Sequence, residues 1–137
     1  MNFEILEHTA DIGIRAYGRT LQDLFANAAL GLESIALEMG AVEARESVQV
    51  AVSGEDLESL LVNWLNEVVF YLDARHFAMS RFEFETLSPV GLSGTAWGEA
   101  RDPERHPPRL VVKAATYHQL HISRQNEIYV AEVYLDI

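Results

Sequence analysis

Seven apolar residues in the middle of the chain share one helical stripe. Leu57, Leu60, Leu61, Trp64, Leu65, Val68 and Leu72 stand at i, i+3, i+4, i+7, i+8, i+11 and i+15. An α-helix puts that spacing on one face, and a face so apolar has to be covered. The helix is expected over about 55–75, with Ser53 as its N-cap and Asp56 as the partner acid. Leu21, Leu24, Phe25, Ala28, Leu32, Ile35 and Ala36 make a second stripe. It predicts a helix over 20–37, with Thr20 as cap and Asp23 meeting the exposed first-turn amides.

Around these helices the period drops to two. Ile12, Ile14 and Ala16 alternate with Gly13, Arg15 and Tyr17, and Val48, Val50 and Val52 with Gln49 and Ala51. Phe82 and Phe84 alternate with Glu83 and Glu85. These read as half-buried strands. Ser88, Pro89 and Gly91 mark a turn before a strand over 92–98. Residues 119–123 and 128–135 read as a terminal hairpin around Arg124, Gln125 and Asn126. The predicted order is β-β-α-β-α-β-β-loop-β-β. That is an α+β fold, mainly antiparallel sheet with two helices packed on it. At 137 residues without an internal linker, 1–137 is expected to be a single compact domain.

The chain has 21 acids and 10 bases, a formal charge of −11, and no cysteine. A disulfide framework, a thiolate metal site and a cysteine nucleophile are thereby excluded. Gripping nucleic acid needs clustered cations, so DNA is not an expected partner and RNA contact should be indirect or weak. A cation or a basic protein surface suits this charge better. No apolar run approaches the ~18–20 residues of a membrane span, and the N-terminus lacks a signal-peptide pattern. A cytoplasmic protein that does not contact membranes is expected.

The segment 99–109 (Glu-Ala-Arg-Asp-Pro-Glu-Arg-His-Pro-Pro-Arg) holds three of the four prolines and three of the nine arginines. Proline removes amide donors, so this is an exposed loop. It is either a solvated crossover or a basic contact loop built on Arg101, Arg105 and Arg109.

Three stretches carry polar residues that a simple core does not require: 7–11 (Glu-His-Thr-Ala-Asp), 113–118 (Lys-Ala-Ala-Thr-Tyr-His) and 135–137 (Leu-Asp-Ile). Taken singly, Asp11 reads as a turn former and Asp136 as a solubilising residue. Together they offer more. Asp136 and the terminal carboxylate of Ile137 bring hard oxygen donors within one residue of each other. If the last strand pairs beside the first, Asp11 adds another. Such carboxylates repel unless a cation joins them, and oxygen-only donors suit Ca²⁺ or Mg²⁺. Zinc is disfavoured, because His8, His76, His106, His118 and His121 show no paired ligand spacing. His8 either extends this ligand set or bonds backbone, and His118 reads as a satisfied structural histidine. Lys113 follows the apolar run Leu110, Val111, Val112; its ammonium either snorkels to water or meets an anion.

No G-x-S-x-G, P-loop or G-x-G-x-x-G occurs, and no nucleophile–base set is apparent. Trp64 belongs to the helix stripe. Trp97 and Tyr17 are possible base platforms, but no basic–aromatic interleaving accompanies them.

Four blocks carry a family resemblance: Phe-Glu-Ile-Leu-Glu-His-Thr-Ala-Asp-Ile-Gly-Ile at 3–14, Leu-Leu-Val-Asn-Trp-Leu-Asn-Glu at 60–67, the block at 113–118, and Val-Tyr-Leu-Asp-Ile at 133–137. In this order and spacing the chain resembles the archease family over essentially its whole length. The resemblance implies a small acidic α+β protein that is not itself an enzyme. It implies a cofactor of the RtcB-type RNA ligase in tRNA splicing and RNA repair, promoting guanylylation of the ligase histidine and multiple turnover. It also implies a divalent-ion site, calcium in the family, with magnesium or manganese compatible. Carried over by motif, its ligands are Asp11, Asp136 and Ile137. Lys113 matches the family lysine, and a role in activating the ligase is implied there. His8 and His118 lie in the matching blocks. The loop at 101–109 departs from the family pattern. The competing functions are a chaperone-like modulator of tRNA-modifying enzymes and a metal-dependent phosphoester hydrolase.

Overall fold

The leucine stripe forms α2 (Leu57–Asp73). Its cap is Asp56, not Ser53. The Asp56 carboxylate accepts from the Ser59 amide (2.8 Å), and the Ser59 hydroxyl accepts from the Asp56 amide (3.1 Å), a reciprocal capping box. Ser53 is instead the last residue of β3 (Glu46–Ser53), because the valine alternation carries the strand that far. Gly54 then lies against the helix: a Cβ there would fall 2.6 Å from the Leu60 amide nitrogen. The other stripe forms α1 (Leu21–Ala36), and Thr20 caps it by accepting from the Asp23 amide (3.0 Å).

The remaining elements of this computed structural model are β1 (Phe3–Glu7), β2 (Ile12–Gly18), β4 (Phe77–Ser88), β5 (Gly91–Ala100), β6 (Ala114–Gln125) and β7 (Ile128–Asp136). The structure describes residues 2–7 and 11–137. The element order matches the pattern read from periodicity. The strands form the expected antiparallel sheet as two separate sheets, ordered β1-β2-β7-β6 and β3-β5-β4. Both helices bridge them: α1 packs on β2 and reaches β4, and α2 contacts β6, β3 and β4. Each sheet thus buries one face against shared helices.

Trp64 sits at the join and has no exposed surface. Phe82 and Phe84 meet its ring edge-on, with centroids 5.7 and 5.3 Å away. Its indole N–H donates to the Phe25 carbonyl on α1 (3.0 Å). One side chain therefore ties α2 to a sheet and to the other helix.

Glu33 departs from the expected stripe. It is fully buried on α1, and its Oε2 accepts from the Met79 amide of β4 (3.1 Å). Its Oε1 has no hydrogen-bond partner among the described residues. Burial pushes this carboxyl well above its usual value, outweighing the Met79 amide and the more remote Arg101. Glu33 is buried because α1 faces two sheets, so more than one stripe of it is covered.

The 99–109 segment is not a free basic loop. Arg101 donates to the Leu72 carbonyl (3.0 Å), Arg105 to Glu99 (2.8 Å) and the Ala41 carbonyl (2.8 Å), and Arg109 to the Ser34 carbonyl (3.1 Å) and Glu38. His106 is 1% exposed. Its Nδ1 accepts from the Asp102 amide (3.0 Å), which assigns the ring proton to Nε2, facing Glu99 at 3.1 Å. The Arg105 guanidinium, then the Glu43 amide, hold the Glu99 carboxyl at about 2.

The terminal hairpin turns at Asn126 and Glu127, one residue later than expected. Both have positive φ (53° and 71°), as in a two-residue primed turn. β6 begins at Ala114, so most of the 113–118 block is strand.

Trp64→Ala is expected to cost about 3–5 kcal/mol, read as a lower urea midpoint at unchanged slope. Glu33→Gln tests the buried acid. The raised value means the folded state holds the Glu33 proton more tightly than the unfolded chain. Stability should therefore fall as pH rises above the ordinary carboxyl range. The glutamine variant keeps a partner for Met79 and should lose that part of the slope in melting curves across pH.

Candidate functional site

β2 and β7 pair antiparallel from Gly18↔Tyr129 to Ile12↔Leu135. Asp11 and Asp136 each stand one residue beyond this last pair. The last strand therefore lies beside the second strand, not the first, and this is what brings the two aspartates together. Leu135 and Ile14 face the core. Alternation turns Asp11 and Asp136 to the opposite face, with Gly13 and Tyr134. Asp11 is half-buried and Asp136 exposed.

β6 flanks this end of the sheet. Ala114 pairs with Asp136, and the Lys113 amide donates to the Asp136 carbonyl (2.8 Å). Lys113, the one lysine of the chain, is exposed beside the aspartates. Residue 137 follows directly, 39% exposed.

Beyond Thr116, β6 slips register before resuming at His121, and Gln119 takes a positive φ of 55°. Thr116 shapes this bulge. Its hydroxyl donates to the Tyr134 carbonyl (3.1 Å) and accepts from the His118 amide (3.3 Å). His118 is exposed, and its ring meets Tyr134 edge-on at 6.3 Å. The Tyr134 ring also lies across Gly13: a Cβ there would fall 2.7 Å from Tyr134 Cε1. Gly13, Thr116 and Tyr134 thus build the surroundings of the aspartates, and sequence reading passed over all three. The available signal was a glycine inside a strand, which marks close approach.

His8 lies outside the described residues. Among the described residues no group of three or more His, Cys, Asp or Glu is arranged to hold a metal. Two aspartates with main-chain oxygen nearby fit a hard cation in donor type. Adjacent carboxylates on neighbouring strands also repel each other unless positive charge is supplied. Trp97 and Tyr17 are not open platforms. The Arg81 guanidinium covers Trp97 at 4.0 Å, and the Tyr17 hydroxyl donates to Glu4 (3.1 Å).

The family model described as "Archease protein family (MTH1598/TM1083)" matches residues 3–137. The chain belongs to the archease family. The protein archease of Sulfurisphaera tokodaii is 41% identical over 136 residues, covering 98% of each chain. That of Saccharolobus islandicus strain Y.N.15.51 is 42% identical over 137 residues, covering 99% of each. The solution structure of Methanobacterium thermoautotrophicum protein 1598 superposes with a TM-score of 0.84 at 37% identity, covering 99% of both chains. The crystal structure of an archease from Thermotoga maritima, described as a possible chaperone, reaches 0.69 at 20% identity, covering 98% and 96%, and is similar in fold. No helix among the described residues of this archease is long and apolar enough to cross a membrane.

Gly13→Ala is expected to leave the fold intact while displacing the Tyr134 ring. The His118 ring resonances should shift in NMR spectra; unchanged resonances would contradict the packing described.

Proposed function

We propose that the chain is a non-catalytic protein cofactor of an RtcB-type RNA ligase, acting in tRNA splicing and RNA repair in the cytoplasm. The observation that carries this reading is the β2–β7 register, which sets Asp11 beside Asp136 at a free end of the sheet. Family membership supports it.

In this reading Asp11 and Asp136 hold a divalent cation, calcium first, with magnesium and manganese suited to the same oxygen donors. Where residue 137 ends the natural chain, the Ile137 main-chain carboxylate is the third ligand, and His8 is a further candidate. Bound there, the ion supplies the positive charge that helps place a nucleotide against the ligase histidine. The chain's own residues do the rest. The aspartates keep the ion at the tip of a rigid sheet. Lys113, its amide bonded to the Asp136 carbonyl, presents an ammonium to an anionic group of the ligase or its nucleotide. His118 stands beside Tyr134 as a second contact. RNA is met through the ligase, in keeping with the charge of −11.

The test is ligase self-guanylylation in divalent metal, with and without the protein. Stimulation of guanylylation and of turnover is expected, and a matched ligase that is not stimulated sinks the reading. Asp11→Ala and Asp136→Ala should each abolish stimulation while melting stays cooperative. Where residue 137 ends the natural chain, a C-terminal extension should act the same way, because it removes that carboxylate.

The Thermotoga archease, as a possible chaperone, favours a second reading, a chaperone-like modulator of tRNA-modifying enzymes. It predicts binding to several clients and indifference to Asp136→Ala. A phosphoester hydrolase would reveal itself as RNA turnover by the isolated protein.

A further inference from the structure

Several large apolar side chains are exposed on α2, along β6 and in the segment that leads into it. Val111 is 70% exposed, Tyr117 60%, Leu110 and Phe70 44% each, and Ile137 39%. Single exposed apolar residues are ordinary; a cluster around a charged centre has the composition of an interface.

The placement follows from the backbone. Val112 is buried, so alternation turns Val111 and Lys113 outward together. The Leu110 amide bonds the Ile35 carbonyl (3.2 Å), and the Lys113 amide bonds the Asp136 carbonyl (2.8 Å). The run is therefore pinned at both ends, with Ile137 next to it. Tyr117 lies by Ser59 and Asn63 of α2, and the Ala115 amide bonds Asn66 Oδ1 (2.8 Å). Thus β6 runs against the direction of α2, and Phe70, one turn beyond Asn66, falls beside 111–113.

We propose that Leu110, Val111, Phe70 and Ile137 form an apolar collar through which the Asp11–Asp136 tip docks onto a protein partner with a cationic cleft. This rests on the ligase reading above and names the surface that reading needs. Electrostatics selects the occupant. A second copy would bring another −11 against the same acidic tip, and nucleic acids and anionic membranes are repelled likewise. A protein whose cleft is cationic and rimmed by apolar groups complements both parts of the surface. Because the collar is pinned by backbone hydrogen bonds, docking orders little chain and loses little affinity to entropy.

The experiment measures binding to the matched ligase and, separately, terbium luminescence at the aspartates. Val111→Glu and Leu110→Ser are compared with the parent and with Ile128→Glu. Ile128 lies at the far end of β7, about 26 Å from Asp136 at ~3.3 Å per residue. At least tenfold weaker ligase binding is expected for the collar variants, with terbium binding and cooperative melting unchanged and Ile128→Glu like the parent. Collar variants that bind within twofold of the parent overturn the collar and leave the ligase reading standing. A parent that neither binds nor stimulates the ligase overturns both. Self-association or vesicle binding that Val111→Glu abolishes, with ligase binding intact, overturns the collar in favour of that other occupant.

Discussion

The pairing of β2 with β7 is the constraint on which the rest of the structure depends. It joins residues 12–18 to residues 129–135, and so closes nearly the whole chain into one loop. Loop-closure entropy grows slowly with length, and buried side chains repay it. Ile14, Ala16, Ala131, Val133 and Leu135 have no exposed surface. With β7 placed, β1 can add on one side and β6 on the other. The same pairing carries Asp11 and Asp136 past the last paired residues, onto the face away from the core.

The second sheet is held to the first by helices. Trp64 is the clearest link, since it packs on Phe82 and Phe84 and donates to α1. Glu33 is the polar counterpart: a buried acid on α1 that satisfies an amide of β4, an edge strand. A half-satisfied buried carboxyl is costly, but an unpaired strand amide in the same place would be costly too. The arginine-rich segment closes this side. Its arginines and His106 bond Glu99, Glu38 and main-chain carbonyls, so its charge serves the fold and leaves little for a partner.

That redistribution changes what the charge of −11 means. Much of the basic side-chain charge is engaged internally: Arg15 pairs with Glu4 and Glu132, and Arg45 with Glu43. Lys113 remains exposed, its amide bonded to the Asp136 carbonyl, with the exposed Val111 two residues before it.

Periodicity determined the helices, most strands and their order, because the spacing of apolar residues decides locally which face of an element is buried. The capping pair at Thr20 and Asp23 was legible for the same local reason. So were the candidate site residues, which stand in blocks that no core pattern explains. Periodicity does not say which buried face meets which. Strand pairing is non-local, and so only the tertiary structure decided that there are two sheets, that β7 lies beside β2, and that Asp11 and Asp136 share one end of that pair. It also decided that Glu33 is buried and that three arginines bond the protein's own carbonyls and carboxylates, since both depend on what distant segments bring alongside.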